Sequence, residues 1–252
     1  MSQSTNKWLV LFDFDHTMID VNSDTYIFEK LSPSIYNQFS IATKSTDYIG
    51  WTNLMRQQLL ALSTELDQYS KQLVIDCLHT IKINHKLCNV LIQLCSAGTP
   101  MSIISDANTI FINEIIHVNQ LDHIFHSNNI YTNPAQYIDN DIIDVQPYCT
   151  VSHNCIRCPS NLCKSAVLHD IKHEYNIDGT YRIIYVGDGN NDYCPSLQLT
   201  SNDIILCKSN WPLHKQLMQN HQFIHATVEQ WNTQCDIADL LVKYCLDSNT
   251  VK

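Results

Sequence analysis

The sequence has no apolar run approaching the roughly 20 residues that cross a membrane, so no membrane-spanning helix is expected. Its longest early apolar stretch, Trp8 to Phe12, runs straight into acidic residues and is shorter than the apolar core of a signal peptide, about 7–15 residues. Positive charge is scarce: 15 Lys and Arg stand against 25 Asp and Glu, a formal net charge of −10. A nucleic-acid-binding surface needs a basic patch, so nucleic acid is not an expected partner. The 12 histidines are scattered and form no His-Glu-x-x-His pair. Gly187 and Gly189 lack the Gly-x-Gly-x-x-Gly spacing of a dinucleotide loop and sit among acids that would repel a pyrophosphate. There is no internal repeat or low-complexity tract. The 11 cysteines, without a secretory segment, read as reduced thiols of a cytoplasmic protein and not as a disulfide framework.

What is present is the composition of an ordinary globular protein. The 252 residues are 44% hydrophobic and 16% charged, enough for one α/β core with an inserted smaller module, or for two modest domains. Three apolar runs each end in acidic or hydroxyl residues: WLVLFDFDHT from Trp8, MSIISDAN from Met101 and IIYVGDGNND from Ile183, with Lys164 ahead of the last. Continuous apolar runs of this length read as strands buried on both faces, as in a parallel α/β sheet. Ligands of such sheets sit in the crevice beyond the strands' carboxyl ends. Asp13, Asp15, Ser105, Asp188 and Asp192 are therefore expected to converge, as a phosphate and a magnesium ion would require.

Between these runs the pattern changes. Residues 7–14 read as the first strand. Residues 23–94 carry helical spacing, as in Trp51, Leu54, Met55, Leu59 and Leu62. Residues 87–96 read as a helix that returns to the core, stopped by Gly98 and Pro100. Strands are expected at 101–104, 183–186 and 204–207, and helices at 109–118, 165–175 and 234–246. Residues 124–149 read as short strands and turns.

In order and spelling, the Asp-x-Asp-x-Thr of Asp13 to Thr17, the strand-end Ser105, Lys164 and the GDGNND of Gly187 to Asp192 resemble the haloacid dehalogenase superfamily of phosphatases. A narrower resemblance spans nearly the whole chain. DFDHTMIDVNSDT, ISDANTIFI, SHNCIRCPSNLCKS, YVGDGNNDYCP and VEQWN are similar to the phosphoethanolamine/phosphocholine phosphatase and pyridoxal-phosphate phosphatase family. That resemblance implies a Rossmann-like, doubly wound parallel α/β sheet with an inserted helical cap. The core would comprise residues 1–19 and 85–252, and the cap residues 20–84. It also implies Asp13 as a nucleophile that becomes an aspartyl-phosphate, and Asp15 as the acid and base. A Mg2+ ion would be held by Asp13, the backbone carbonyl of Asp15 and Asp188, with Asp192 acting through water or hydrogen bonds. Ser105 and Lys164 would hold the phosphoryl oxygens. His16 departs from the acidic or amide residue usual between Asp15 and Thr17.

The implied substrate is a small-molecule phosphate ester, because a cap shuts out a folded partner. Asp20, Asp24 and Asp106 beside the motifs, with Trp51 and Tyr48 in the cap, suit the ammonium of phosphoethanolamine or phosphocholine. Trp51 reads equally well as a residue packed inside the cap. Pyridoxal 5'-phosphate would instead want an aromatic slot, and both substrates stay open. The alternatives are another small phosphomonoester such as phosphoserine, or a catalytically silent phosphate-binding module. Cys155, Cys158 and Cys163, with His153 nearby, have zinc-like spacing. Structural zinc sites usually draw a second ligand pair from a separate turn, so these thiols read as a loop that positions Lys164. Cys77, Cys88, Cys95, Cys207 and Cys245 sit among apolar residues and read as small core fillers.

Overall fold

The computed structural model describes residues 7–175 and 181–247. Residues 1–6, 176–180 and 248–252, assigned above to the core, lie outside the described residues. Eight strands lie among the described residues: β1 (Lys7–Phe12), β2 (Met101–Asn108), β3 (Ile130–Asn133), β4 (Ala135–Tyr137), β5 (Ile143–Val145), β6 (Tyr181–Gly187), β7 (Ile204–Lys208) and β8 (Thr227–Trp231). Six form a single sheet in the order β3-β2-β1-β6-β7-β8, every pair parallel. β4 and β5 make a separate antiparallel hairpin.

The ten helices among the described residues are α1 (Ser23–Leu31), α2 (Pro33–Ala42), α3 (Trp51–Glu65), α4 (Lys71–Leu78), α5 (His85–Ser96), α6 (Thr109–Val118), α7 (Lys164–Glu174), α8 (Tyr193–Ser196), α9 (Pro212–Gln219) and α10 (Gln234–Leu241). The strands read as apolar runs because both faces of the sheet are covered. Val10, Phe12, Ile103, Ile184, Val186 and Leu206 point into one apolar cluster, shared with α1 to α6 and α10. Their neighbours Leu9, Leu11, Ile104, Ile183, Tyr185 and Ile205 point into the other, shared with α7 and α9. Each such fully buried large side chain contributes about 1.5–3 kcal/mol. This two-faced packing makes the sheet doubly wound, and no helix of the described residues is long and apolar enough to cross a membrane.

Chain order sets the site. After β1 the chain builds β2 and β3 on one side, then returns to build β6, β7 and β8 on the other. The register aligns Phe12 with both Ile103 and Val186, so the carboxyl ends of β1, β2 and β6 open on one crevice at the point where strand order reverses. The four helices α1 to α4 are inserted between β1 and α5. Their apolar residues, among them Phe28, Phe39, Leu59 and Val74, are continuous with the cluster on the sheet. Arg56 of α3 pairs with Asp144 of β5 at 2.7 Å, joining the hairpin to the inserted helices.

Several elements differ from the sequence expectation. β1 stops at Phe12, two residues early, because the chain curls at once. β2 continues past Ile104 to Asn108, with a register shift between those residues. β8 is not expected as a strand: it lies at one edge of the sheet, and only Trp231 in it is buried, so its pattern carries little apolar signal. The last helix ends at Leu241, and residues Val242–Leu246 form a π turn.

Candidate active site

The curl after β1 separates the two aspartates. Asp13 N–H still donates to Val186 O at 2.8 Å, keeping it beside β6, while Phe14 O accepts from Met18 N at 2.8 Å. His16 closes this turn in the left-handed region, at φ 57°. Asn, Asp and His enter that region more readily than other side chains, which explains why His16 stands where an acid or amide is usual. Lys208, at the end of β7, donates to His16 O at 3.0 Å and steadies the turn. Asp15 then turns away from Asp13, and its Oδ1 accepts from Ser23 N–H at the start of α1, at 2.8 Å.

Lys164 lies beneath this turn with none of its side chain exposed, 2.7 Å from Asp13 Oδ1 and 2.8 Å from Asp192 Oδ1. Asp192 is saturated. Its Oδ1 also accepts from Tyr185 OH, and its Oδ2 accepts from the amides of Asp188 and Gly189. The two glycines are required by close approach and not by unusual dihedrals. A Cβ on Gly187 would lie 2.6 Å from Asp192 Oδ2, and one on Gly189 2.6 Å from Asn191 Oδ1. Thr17 donates to Asp188 Oδ1 at 3.0 Å, tying the first motif to the last.

Electrostatics follow from burial. Burial pulls the Lys164 ammonium down, but the Asp13 and Asp192 carboxylates outweigh it and hold the lysine above its usual range, so it stays charged. Burial and the Asp192 charge push Asp13 well above the carboxylate range, against the pull of Lys164. Asp188 is raised by the same two causes. Burial pushes Asp15 up to about 6, opposed by the Ser23 hydrogen bonds.

Carboxylate oxygens of Asp13, Asp188 and Asp192 lie within 4.8 Å of one another. One ammonium cannot neutralise three carboxylates that water barely reaches, and buried charge without a partner costs several kcal/mol. A cation that prefers hard oxygen ligands, as magnesium does, fits this donor set. Asp13 and Asp188 are the acids available to it, since Asp192 has both oxygens committed.

Above these acids is a cavity of about 330 Å³ lined by Asp13, Asp15, Asp24, Ser105, Asp106 and Trp51, among others. Ser105 is buried, its Oγ accepting from Ala107 N–H at 3.2 Å. Asp106 is held from both sides, Oδ1 accepting from Asn161 and Oδ2 from Asn191. Trp51 donates from Nε1 to Asp24 Oδ2 at 2.6 Å and packs edge-on against Phe39, with centroids 5.0 Å apart. Asp20 is not brought in: the His16 amide donates to Val21 O, and the loop this closes leaves Asp20 exposed and off the cavity lining. Asp24 lies in the first turn of α1 and on the cavity lining, buried and pushed up to about 8 by desolvation and then by the Asp15 charge.

Sequence reasoning missed Tyr185, Asn161 and Lys208. Tyr185 sits inside an apolar run, and Asn161 in a stretch with no periodicity. Lys208 carried a usable signal, because it follows the apolar run 204–207 at a strand's carboxyl end.

The chain is similar to known proteins in sequence and in fold. A family model described as "Putative Phosphatase" matches residues 8–245. A thiamine phosphate phosphatase-like protein of Arabidopsis thaliana is 32% identical over 232 residues, covering 90% of this chain and 91% of its own. A pyridoxal phosphate phosphatase of Bos taurus is 31% identical over 252 residues, covering 93% of this chain and 97% of its own. The crystal structure of a haloacid dehalogenase family hydrolase from Salmonella enterica serovar Typhi, 19% identical, superposes with a TM-score of 0.65 over 96% of this chain and 72% of its own, so the fold is shared. The chain belongs to this "Putative Phosphatase" family and is a phosphatase, with the fold of that haloacid dehalogenase family hydrolase.

Proposed function

We propose that the protein is a magnesium-dependent phosphomonoesterase that works through an aspartyl-phosphate on Asp13 and takes small phosphate esters with a cationic leaving group. The observation that carries this reading is the cavity lining, which joins Asp13 and Asp15 to Asp24, Asp106, Tyr48 and Trp51 and includes no lysine or arginine among the described residues. Carboxylates and aromatic faces attract a cation and disfavour an anion.

In the proposed reaction the substrate phosphoryl group docks beside Asp13 and Ser105, which line the cavity, while Lys164, expected from the sequence to hold phosphoryl oxygens, lies fully buried off that lining and acts through Asp13. Lys164 holds Asp13 Oδ1 at 2.7 Å, which orients the carboxylate for attack on phosphorus. The P–O bond to the leaving group breaks as the bond to Asp13 forms, and Asp15 gives its proton to the departing alkoxide. A carboxyl raised to about 6 by burial is suited to that donation. Asp15 then takes a proton from the water that cleaves the aspartyl-phosphate, and inorganic phosphate leaves. Magnesium, held by Asp13, the Asp15 carbonyl and Asp188, with Asp192 supporting it through hydrogen bonds, would supply charge neutralisation for the incoming phosphate. Residues 20–84 act as the cap, contributing Asp24, Tyr48 and Trp51 to the leaving-group side.

Thiamine phosphate and pyridoxal phosphate, for which the two relatives are named, are esters of primary alcohols attached to nitrogen heterocycles that carry or acquire positive charge. Phosphoethanolamine and phosphocholine share a cationic head. Asp106, with the rings of Tyr48 and Trp51 in the same lining, offers each of them a carboxylate near an aromatic face. A phosphatase screen with magnesium or with a chelator tests the reading. The expected result is magnesium-dependent release of phosphate from at least one of these four esters, with kcat/KM ten-fold or more above that for phosphoserine. Chelator-insensitive turnover, or a preference for phosphoserine, would contradict it.

A further inference from the structure

The loop between β5 and α7 poses a physical problem. Residues 146–163 carry neither helix nor strand, although uninterrupted irregular stretches beyond about 12–15 residues are uncommon in compact domains. Val151 and Ile156 in it are 79% and 93% exposed, so they do not anchor it. Yet it must be held accurately, because it delivers Asn161 to Asp106 and ends at Lys164.

Four sulfurs meet at the base of this loop. Cys155, Cys158 and Cys163 come from the loop, and Cys194 comes from α8, two residues after Asp192. All four Sγ atoms lie within 4.8 Å of one another, and Cys155 Sγ is 3.5 Å from Cys194 Sγ. Zinc–sulfur bonds of about 2.3 Å in a tetrahedron put the sulfurs roughly 3.8 Å apart. A disulfide would require about 2.05 Å, and all four cysteines are free thiols. Thiols that merely fill a core have no reason to gather four to a point. Cys194 also supplies what the loop sequence lacks, a ligand from a separate element. His153 is not a competitor, since its Nε2 faces Pro159 O and its Nδ1 accepts from Cys155 N–H.

We propose that Cys155, Cys158, Cys163 and Cys194 bind one zinc ion as a tetrathiolate structural site that fastens the Lys164 loop to the helix following Asp192. Binding exchanges four thiol protons for the metal and leaves a centre of net charge −2, beside which lie Arg157 and the start of α7. The Ala166 amide and the Ser165 hydroxyl lie against the sulfurs of Cys163 and Cys194, as thiolates require of their surroundings. The ion would be a positioning element, since Cys163 precedes Lys164 directly and Cys194 follows the aspartate that Lys164 pairs with. It stands apart from the carboxylates of the active site.

The test uses the full chain, purified with reductant and without added metal. Elemental analysis should find one zinc per chain that survives dialysis. Cobalt exchanged into the same protein should give the intense visible bands of tetrahedral cobalt and a thiolate-to-metal charge-transfer band, which carboxylate-bound cobalt lacks. Cys194→Ser and Cys158→Ser should lose the zinc, whereas Cys235→Ser, outside the cluster, should keep it. The cobalt spectrum of the unaltered chain decides the matter even where a variant fails to fold. A chain free of zinc whose cobalt spectrum shows no thiolate band, or one with Cys155 and Cys194 joined as a disulfide under reductant, would overturn the proposal.

Discussion

Lys164 Nζ stands 2.8 Å from Asp192 Oδ1, and neither side chain is exposed to solvent. The pair joins the start of α7 to the GDGNND loop, and the second contact of Lys164, to Asp13, joins both to β1. Removing one partner of a buried pair costs about 3–5 kcal/mol, because the other charge is left without compensation. Lys164→Ala should therefore lower Tm by an amount on the order of 10 °C. Magnesium should raise Tm more in the mutant than in the native chain, since it faces a larger excess of carboxylate. An unchanged Tm in a thermal melt would mean that the pair is not structural.

Gly187 offers a sharper probe of the same network. A Cβ there would lie 2.6 Å from both Cγ and Oδ2 of Asp192, whereas one on Gly98 meets nothing within 4 Å. Gly187→Ala should displace Asp192 and with it Lys164, costing about 1–3 kcal/mol as other overpacking does and reducing kcat more than KM. Gly98→Ala, strained only by its φ of +75°, should lose stability but keep kcat. Equal kinetics in the two variants would contradict the close-approach explanation.

Asp15 is testable through the leaving group. An alkoxide needs a proton as it departs, and a nitrophenolate does not. Asp15→Asn should slow alkyl phosphates by about 10²–10⁴-fold and p-nitrophenyl phosphate far less. The carboxyl must hold its proton, and burial sets it at about 6. In the native enzyme the ratio of kcat/KM for alkyl over p-nitrophenyl phosphate should therefore fall as pH rises above about 6, and in Asp15→Asn it should stay flat. Taking the ratio cancels the substrates' own phosphate ionisation. A flat ratio in the native enzyme would remove Asp15 from the acid role.

Asp24 should leave a signature in stability. Its carboxyl is pushed up to about 8 in the folded chain by burial, from an ordinary value of 3.8. Between those values the folded state holds a proton that the unfolded chain has released, so this group's contribution to stability falls as pH rises from about 4 to 8. Asp24→Asn keeps an acceptor for Trp51 Nε1 and removes that dependence. The Tm of the variant relative to the native chain should rise steadily across this window and level off above about pH 8. Above about pH 8, where the native carboxyl is ionised, the same substitution should cut kcat/KM for a cationic ester more than for p-nitrophenyl phosphate. A Tm difference independent of pH would show that Asp24 is not buried as a neutral acid.

How much of this was legible in the sequence depended on the kind of signal. Strand ends were visible because sheets covered on both faces turn strands into apolar runs, so Asp13, Ser105 and Asp188 announced themselves. β8 was hidden because, at its edge of the sheet, Trp231 is its one buried residue. Asp20 and Asp24 were four residues apart and equally acidic. The helix start at Asn22, whose side chain caps Thr25 N–H, turns Asp24 inward and leaves Asp20 on the surface. Cys194 could not be matched to Cys155, Cys158 and Cys163 by spacing, because only the tertiary fold brings α8 against that loop.

The proposed reaction turns on transfer of phosphorus to Asp13 itself. Acid quenching during turnover of pyridoxal phosphate or phosphoethanolamine with magnesium, followed by peptide mass spectrometry, tests it most directly. The expected result is a phosphoryl group on Asp13 in the peptide containing residues 8–17, labile to hydroxylamine and absent from Asp13→Asn, which should also lose turnover. Phosphate release at the native rate from Asp13→Asn, or a phosphoryl group found on another residue, would contradict the account.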